Sequence, residues 1–329
     1  MWSDCLQLLF GLALIVKGGE WFVAAAVRLA EFLRLPRVVI GSTLVSLATT
    51  SPELVVSVMS GLRGESGLAL GNAVGSCICN IGLILGITAA IRHVDVHPRA
   101  LRTPLWAMFL FGAALFLMTL DLTLSRGQGV VLLLAGIGYF VWDFWQHWRD
   151  REPADEAEAT IIELDVTVGR TMVFNTLAGT AAQFMVGALV VIVGSRFLVN
   201  GAVNVAGGFG VPAVIIGLTV VALGTSLPEL ITAITSSRQA VSDLAVGNVL
   251  GANIANLSLI VGTAAVIHEI TLDRWTQVFN FPALLVMMGL LLWMLLTDRR
   301  VTRREGVILL ATYAVYLAGL VAFTLRLTP

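Results

Sequence analysis

Two similar hexapeptides place a glutamate inside a long apolar stretch of this chain. TTSPEL at residues 49–54 carries Glu53, and TSLPEL at residues 225–230 carries Glu229. In each, a threonine lies four positions before the glutamate, so the two side chains would share one face of a regular helix. Carboxylate and hydroxyl oxygens are hard donors that suit Ca²⁺ or Na⁺ far better than zinc or copper. The two hexapeptides therefore predict a site for a hard cation.

Further oxygen donors accompany each glutamate. The proline before it cannot donate a hydrogen bond, which frees the carbonyl of Ala48 in one copy and of Gly224 in the other. The next apolar stretch of each copy adds an asparagine. The candidate donors are Thr49, Thr50, Glu53, Ser76 and Asn80 in the first copy, and Thr225, Ser226, Glu229 and Asn256 in the second. Asn72 and Asn248 remain open between ligation and hydrogen bonding within the packing.

Each glutamate falls near the middle of its apolar run. Glu53 and Glu229 occupy matching positions in the runs at 36–62 and 212–237. A carboxylate at this depth in a membrane costs at least about 2.5 to 3.5 kcal/mol on insertion scales, and such residues are functional by default. Arg196 and Lys17 lie near the starts of other runs, where snorkelling to the interface explains them. A cation that binds and leaves is therefore the better partner for the two glutamates.

The composition is that of an integral membrane protein. Of the 329 residues, 57% are hydrophobic and 12% are charged, and the mean hydropathy is +0.91. About 20 apolar residues in a helix cross a hydrocarbon core of about 30 Å. The chain contains ten such runs, at residues 6–31, 36–62, 66–91, 100–120, 127–148, 179–206, 212–237, 243–267, 275–297 and 305–325. We therefore predict an all-α protein with ten transmembrane helices.

An internal repeat relates the two halves of the chain. When the sequence is shifted so that Pro36 falls on Pro212, 25 of 56 ungapped positions are identical between the segments 36–91 and 212–267. We call residues that this shift aligns repeat equivalents. Each half contains five predicted spans, an odd number, so the second half must enter the membrane from the opposite side. Two inverted five-helix repeats are typical of secondary transporters that bind their substrate near the bilayer midplane.

The repeat divides the chain into two halves and a linker. Residues 1–148 form the first five-helix repeat, residues 149–170 an acidic linker, and residues 171–329 the second repeat. Arginines concentrate in the loops after the odd-numbered spans, and the positive-inside rule places those loops in the cytoplasm. Both termini are then outside, and the linker is cytoplasmic.

Other classes of function find little support in the residues. There is no basic run that would bind nucleic acid, and the four histidines all lie at span ends. No Ser/His/Asp, Cys/His or His-cluster arrangement is present, so the chain is not expected to be an enzyme or to use a cofactor. The expected partners are Ca²⁺ and Na⁺ as substrates and the lipid bilayer. The sequence leaves the oligomeric state open.

Four motifs give the chain a resemblance to a known family. GSTLVSLATTSPEL, GNAVGSCICNIGLILG, GLTVVALGTSLPEL and GNVLGANIANLSLIVG resemble the two α-repeats of the cation/calcium antiporter superfamily, closest to prokaryotic sodium/calcium exchangers. The resemblance implies four central helices that enclose the ions and a tilted pair, the first and sixth helices, that slides past the rest. It also implies ion ligands at Thr49, Thr50, Glu53, Ser76, Asn80, Thr225, Ser226 and Glu229, and a bacterial or archaeal plasma membrane as the location.

Two departures from the family pattern affect the expected ions. Relatives commonly carry an acid at the position of Asn80 or Asn256, and an acid at the latter resembles the potassium-dependent branch. Both positions are asparagine here, which disfavours potassium dependence. The serine expected four residues before Asn256 is Ala252, which removes one hydroxyl from an ion subsite.

These observations lead to one principal hypothesis and two alternatives. The principal hypothesis is an antiporter that exchanges Ca²⁺ for Na⁺ by alternating access, with Glu53 and Glu229 holding either one Ca²⁺ or several Na⁺. The first alternative is a Ca²⁺/H⁺ antiporter in which protons replace Na⁺ on the same glutamates. The second is a passive cation channel.

Overall fold

Helices make up nearly all of the chain that the computed structural model describes, which is residues 2–64, 66–95, 98–149, 174, 176–208, 222–297 and 300–327. In order, the helices are α1 (Trp2–Leu33), α2 (Arg37–Thr49), α3 (Ser51–Leu62), α4 (66–91), α5 (Pro98–Met118), α6 (Arg126–Arg149), α7 (Leu177–Gly208), α8 (Ala222–Thr225), α9 (Leu227–Arg238), α10 (Ser242–Ile267), α11 (Thr276–Thr297) and α12 (Arg303–Leu327). The prediction of an all-α protein is confirmed.

Eight helices of the described residues are long and apolar enough to cross a membrane. The helices α2 and α3, bent by 45° relative to each other, form a further broken span. These spans match nine of the ten predicted runs. The remaining run, 212–237, lies partly outside the described residues, as does most of the predicted linker at 149–170.

Two helices form the centre of the protein. In α10, 78% of the span residues are buried, and in α4, 72% are buried, against 22 to 44% in the other continuous spans. Both helices are rich in alanine and glycine, which are small enough to let neighbouring backbones approach, and both carry asparagines that can hydrogen-bond across helices. The core of the protein therefore surrounds the helices that carry the candidate asparagines.

Glycines of α10 allow direct backbone contact with α2. A Cβ built on Gly247 would overlap the carbonyl oxygen of Val38, and one built on Gly251 would overlap that of Ser42. A step of four residues toward the C-terminus of α10 corresponds to a step of four residues toward the C-terminus of α2, so the two helices run parallel. This contact fixes the helix that ends at Thr49 against the helix that carries Asn256.

The helices α1 and α7 pack along each other in antiparallel directions. A Cβ built on Gly11 would fall 2.7 Å from the backbone nitrogen of Leu198, and one built on Gly187 would fall 2.8 Å from that of Phe22. Gly187 is the repeat equivalent of Gly11, and Leu198 is that of Phe22, so exchanging the halves turns the first contact into the second. The repeat found in the sequence therefore relates contacts as well as residues.

Short strand pairs show the same relation. The strand β1 (Val94–Asp95) pairs antiparallel with β4 (Arg300–Val301), and β2 (Thr123–Leu124) pairs antiparallel with β3 (Ile270–Thr271). Each pair joins a segment from the first half of the chain to one from the second half. Exchanging the halves converts one pair into the other.

Candidate ion-binding site

A break in the helix positions each candidate glutamate. The helix α2 ends at Thr49, and α3 begins at Ser51 with Pro52 in its first turn. Proline has no N–H and its ring clashes with the preceding turn, so the chain bends here rather than continuing as one helix. Glu53 lies in the first turn of α3. The unpaired N–H groups of a helix N-terminus favour negative charge at this place.

The second copy is built in the same way. Ser226 separates α8 from α9, and its backbone angles, φ −88° and ψ 8°, are close to those of Thr50, φ −80° and ψ 4°. Pro228 and Glu229 occupy the first turn of α9. The expectation that each threonine and glutamate share one regular helix is therefore wrong, because the proline ends that helix between them.

Both glutamates are buried and incompletely paired. Glu53 is 1% exposed and Glu229 is 0% exposed. One carboxylate oxygen of Glu53, Oε2, and both oxygens of Glu229 have no hydrogen-bond partner among the described residues. Burying an unpaired ionised carboxylate costs several kcal/mol. These oxygens are therefore available to a cation, and a cation would remove the cost.

The glutamates face each other and the hydroxyl groups of the opposite half. The carboxylate of Glu53 lies beside the hydroxyls of Thr225 and Ser226 and close enough to Glu229 for direct repulsion. The carboxylate of Glu229 lies beside the hydroxyl of Thr49. The carboxylate of each half thus lies beside hydroxyl groups of the other half. Two acids that are far apart in the sequence therefore meet in one site.

The Thr49 hydroxyl keeps its lone pairs available. It donates toward the carbonyl oxygen of Ser46 at 3.3 Å or the Oδ1 of Asn248 at 3.1 Å, rather than to Glu229. Its oxygen atom is therefore placed beside Glu229 with its proton directed elsewhere. Asn248, which the sequence left open, orients this hydroxyl, and its own Nδ2 has no partner among the described residues.

Three further predicted donors, Thr50, Ser76 and Ser226, are buried and hydrogen-bonded. Thr50 donates to the carbonyl oxygen of Ser46 at 2.7 Å. Ser226 donates to Ser76 across the two halves at 3.4 Å. These hydroxyls are buried. Thr50 is thus held by the last turn of α2, whereas the serine pair links α4 to the break between α8 and α9.

Asn80 and Asn256 each begin a π-helical turn, Asn80–Leu85 in α4 and Asn256–Ile260 in α10. Such turns are rare and are frequent at functional sites. Asn256 is 0% exposed, and neither its Oδ1 nor its Nδ2 has a partner among the described residues. Asn80 donates its Nδ2 to Asn253 at 3.0 Å and leaves its Oδ1 without a partner within the described part of the chain. Both side chains can therefore offer an amide oxygen to a ligand.

One of the two freed carbonyls is satisfied by a neighbour. The hydroxyl of Ser51 donates to the carbonyl oxygen of Ala48 at 2.8 Å. In the second copy, the repeat equivalent of Ser51 is Leu227, which has no hydroxyl to offer Gly224. The prediction of a free carbonyl in the first copy is therefore wrong, and the two halves of the site differ at this point.

Asn253 is a buried polar residue beside the site that was not among the donors predicted from the sequence. This residue is 0% exposed, and its Oδ1 accepts the bond from Asn80. Its repeat equivalent is Cys77, which it contacts directly, since Nδ2 of Asn253 lies 3.5 Å from the carbonyl oxygen of Cys77. An amide in an apolar helix could have signalled a polar role, but the equivalent position in the first half is a cysteine, so the repeat did not mark Asn253 as a shared donor.

Comparison with known proteins identifies the family. A family described as sodium/calcium exchanger protein matches residues 4–145 and 179–322. The chain belongs to this family. Inner membrane protein YrbG of Escherichia coli is 33% identical over 95% of each chain. Sodium/calcium exchanger MaX1 of Methanosarcina acetivorans is 28% identical over 96% of this chain and 97% of its own.

A solved structure shares the fold of this exchanger family member. The structure of the sodium-calcium exchanger NCX_Mj soaked with zero Na⁺ and Ca²⁺ matches with a TM-score of 0.82 at 28% identity, over 97% of this chain and 99% of that chain. The chain is therefore an integral membrane transporter of the sodium/calcium exchanger family and not an enzyme. The resemblance found in the four motifs is confirmed.

Substitution of Thr49 by valine is expected to weaken Ca²⁺ binding in this exchanger. The change keeps the branched shape and removes an oxygen that lies beside Glu229. A hydrogen bond or ligand contact to a charged group is worth about 1.5 to 3 kcal/mol, so the Ca²⁺ concentration for half-maximal transport should rise about tenfold or more. Thr88→Val is the control, because the Thr88 hydroxyl is equally buried and donates only to Ile84 at 2.7 Å. Equal half-maximal concentrations in the two variants would contradict the assignment.

Proposed function

We propose that this protein exchanges Ca²⁺ for Na⁺ across the membrane by alternating access, and that Glu53 and Glu229 hold the ions. The observation that carries the proposal is the meeting of two buried carboxylates from opposite halves, with three of their four oxygens unpaired among the described residues. The proposed ligands are the nine candidate donors named from the sequence.

The charge of the site accounts for exchange rather than leak. Two carboxylates balance one Ca²⁺ or most of the charge of several Na⁺. With ions bound, the site is near neutral and can be carried past hydrocarbon at low cost. When it is empty, two bare carboxylates face each other in a medium of low dielectric constant, which costs several kcal/mol. The protein with an empty site therefore does not switch between its two facing states. After it releases an ion on one side, it must bind another ion there before it can return.

We also propose ten transmembrane helices in two inverted five-helix repeats, residues 1–148 and 171–329, joined by the acidic cytoplasmic linker 149–170. The antiparallel packing of α1 against α7 supports inversion, because these helices are repeat equivalents and run in opposite directions. The exchange symmetry of the strand pairs supports a two-fold relation between the repeats. Both termini are outside in this arrangement, with the membrane being a prokaryotic plasma membrane.

Flux measurements in proteoliposomes test the choice of driving ion. Vesicles loaded with Na⁺ and diluted into Na⁺-free buffer should accumulate radiolabelled Ca²⁺, while vesicles with equal Na⁺ on both sides should not. A pH gradient alone should drive little uptake. Uptake that is equal with and without the Na⁺ gradient would contradict the proposal.

The same vesicles separate the alternatives. A Ca²⁺/H⁺ antiporter uses only the glutamate pair, and the absence of an acid at Asn80 and Asn256 leaves that pair as the titratable groups among the candidate ligands. It would respond to the pH gradient and ignore Na⁺. A passive channel would carry Ca²⁺ down its own gradient with no counter-ion on the other side.

A further inference from the structure

An apolar groove opens on the outer surface between α5 and α6. Its volume is about 480 Å³, and its floor and walls include Ala107, Leu110 and Ala114 of α5 and Gly138, Tyr139 and Trp142 of α6. Small residues make the floor: a Cβ built on Gly138 would meet no atom within 4 Å. The two helices are therefore separated by a slot that their own side chains do not fill.

The second half of the chain has larger residues at two of the equivalent positions. The helix α11 corresponds to α5 by the internal repeat, and it carries Leu290 where α5 has Ala114. The helix α12 aligns with α6 through the pairs Gly129 with Gly306 and Tyr139 with Tyr316, and it carries Val315 where α6 has Gly138. At these two positions the small residue is particular to the first half, whereas Ala107 has another alanine, Ala283, as its equivalent.

An aromatic side chain closes the equivalent place in the second half. Phe279 stacks on Tyr316, with ring centroids 5.6 Å apart and an interplanar angle of 15°. A Cβ built on Gly319 would fall 2.7 Å from Cζ of Phe279. The residue equivalent to Phe279 is Thr103, and the residue equivalent to Gly319 is Trp142. The second half thus carries its large aromatic side chain on α11 and fills this interface, whereas the first half carries its large aromatic, Trp142, on α6, where it lines a groove that stays open.

A cation lies at one end of the groove. Arg102 and Thr103 line a second pocket of about 360 Å³ nearer the start of α5, which shares Ala107, Leu110, Tyr139 and Trp142 with the first. Arg102 is exposed and forms no ion pair with any described residue. The rings of Trp106 and Trp142 flank it, 41% and 47% exposed. Tryptophans of this kind mark the level of lipid headgroups.

The length of the groove corresponds to one leaflet. Arg102 and Ala114 are about 18 Å apart along α5, at a rise of about 1.5 Å per residue. Half of a hydrocarbon core of about 30 Å is about 15 Å. An acyl chain that enters beside Arg102 would therefore reach the end of the slot near the bilayer midplane.

We propose that this groove holds an acyl chain of an anionic phospholipid whose phosphate pairs with Arg102. A lipid is the occupant because the slot is apolar, because its length along α5 matches the thickness of one leaflet, and because Arg102 lies at the end where a headgroup would be. The sequence-based orientation puts this end of α5 in the cytoplasm, so the lipid belongs to the inner leaflet. The site is separate from the ion site and does not depend on which ions are exchanged.

Native mass spectrometry of the full-length protein, taken from vesicles with equal phosphatidylglycerol and phosphatidylcholine, tests the charge. The wild type should retain phosphatidylglycerol about fivefold more than phosphatidylcholine, the effect of one arginine beside an anionic headgroup. Arg102→Gln should retain both lipids equally. Arg126→Gln, which removes an exposed arginine at the other end of the groove helices, should keep the preference. Equal retention by the wild type, or an unchanged preference in Arg102→Gln, would overturn the proposal.

A second variant tests the groove itself. Gly138→Leu places a side chain in the slot and should release the retained lipid, with the thermal unfolding midpoint showing that the protein is still folded. Val315→Leu adds bulk at the equivalent exposed position of α12 and should not change retention. Full retention by Gly138→Leu would overturn the proposal, as would a wild-type dimer that this substitution dissociates, because the groove would then be covered by a second copy.

Discussion

Glu229→Gln is expected to reduce Na⁺-driven Ca²⁺ uptake at least about 100-fold. The amide has nearly the same shape as the carboxylate and lacks its charge, so one Ca²⁺ would leave the buried site with a net positive charge. Removing one partner of a buried charge pair costs about 3 to 5 kcal/mol, and each 1.4 kcal/mol is a factor of about ten. Glu53→Gln should have a similar effect, because the two residues occupy equivalent places in the two halves.

The measurement is initial Ca²⁺ uptake into proteoliposomes, normalised to reconstituted protein. Glu20→Gln is the matched control: Glu20 is an exposed glutamate of α1 that pairs with Lys17, and exposed pairs contribute little. Its uptake should equal that of the wild type. Uptake by Glu229→Gln above about a tenth of the wild-type rate would show that this carboxylate does not hold the transported ion.

Gly251→Ala is expected to destabilise the protein where two helices meet at their backbones. The new Cβ would overlap the carbonyl oxygen of Ser42 and lie 2.5 Å from Oγ of Ser46, and the first of these is backbone that cannot rotate away. Overpacking a core costs about 1 to 3 kcal/mol. The displacement also disturbs Ser46, whose carbonyl oxygen accepts the hydroxyl of Thr50.

Thermal unfolding in detergent should show a midpoint lower by about 1.5 to 4 °C, since each kcal/mol shifts the midpoint of a chain of this size by about 1.5 °C. The control is Gly138→Ala, where no atom lies within 4 Å of the added methyl and the helix gains about 0.5 to 1 kcal/mol. If both variants unfold at the wild-type temperature, α2 and α10 are not in backbone contact at Gly251.

Much of the fold follows from hydrophobic length and from the internal repeat. A bilayer requires every backbone group of a span to be paired within the span, so apolar runs of about 20 residues become helices with little ambiguity. The glutamates were recognisable because a carboxylate at mid-membrane needs a functional explanation. These arguments are local or depend on symmetry, and the described residues agree with them.

The details that the sequence did not reveal depend on contacts between the halves. Thr49 was paired with Glu53 by helix periodicity, whereas the bend at Thr50 turns it toward Glu229. Asn253 has a cysteine as its repeat equivalent, so symmetry gave no reason to select it. Which hydroxyl faces which acid is decided by the packing of distant segments, and periodicity within one segment carries no information about it.

The two strand pairs have a mechanical consequence. The pair β1 and β4 connects the turn after α4 with the turn after α11. The pair β2 and β3 connects the turn after α5 with the turn after α10. The two halves are therefore hydrogen-bonded to each other at two separate places. Helices next to these strand pairs are poorly able to move apart. The long pair α1 and α7 adjoins neither of them. We therefore expect the helices joined by the strand pairs to stay fixed during transport. We expect α1 and α7 to move relative to them and to open the ion site first to one side of the membrane and then to the other.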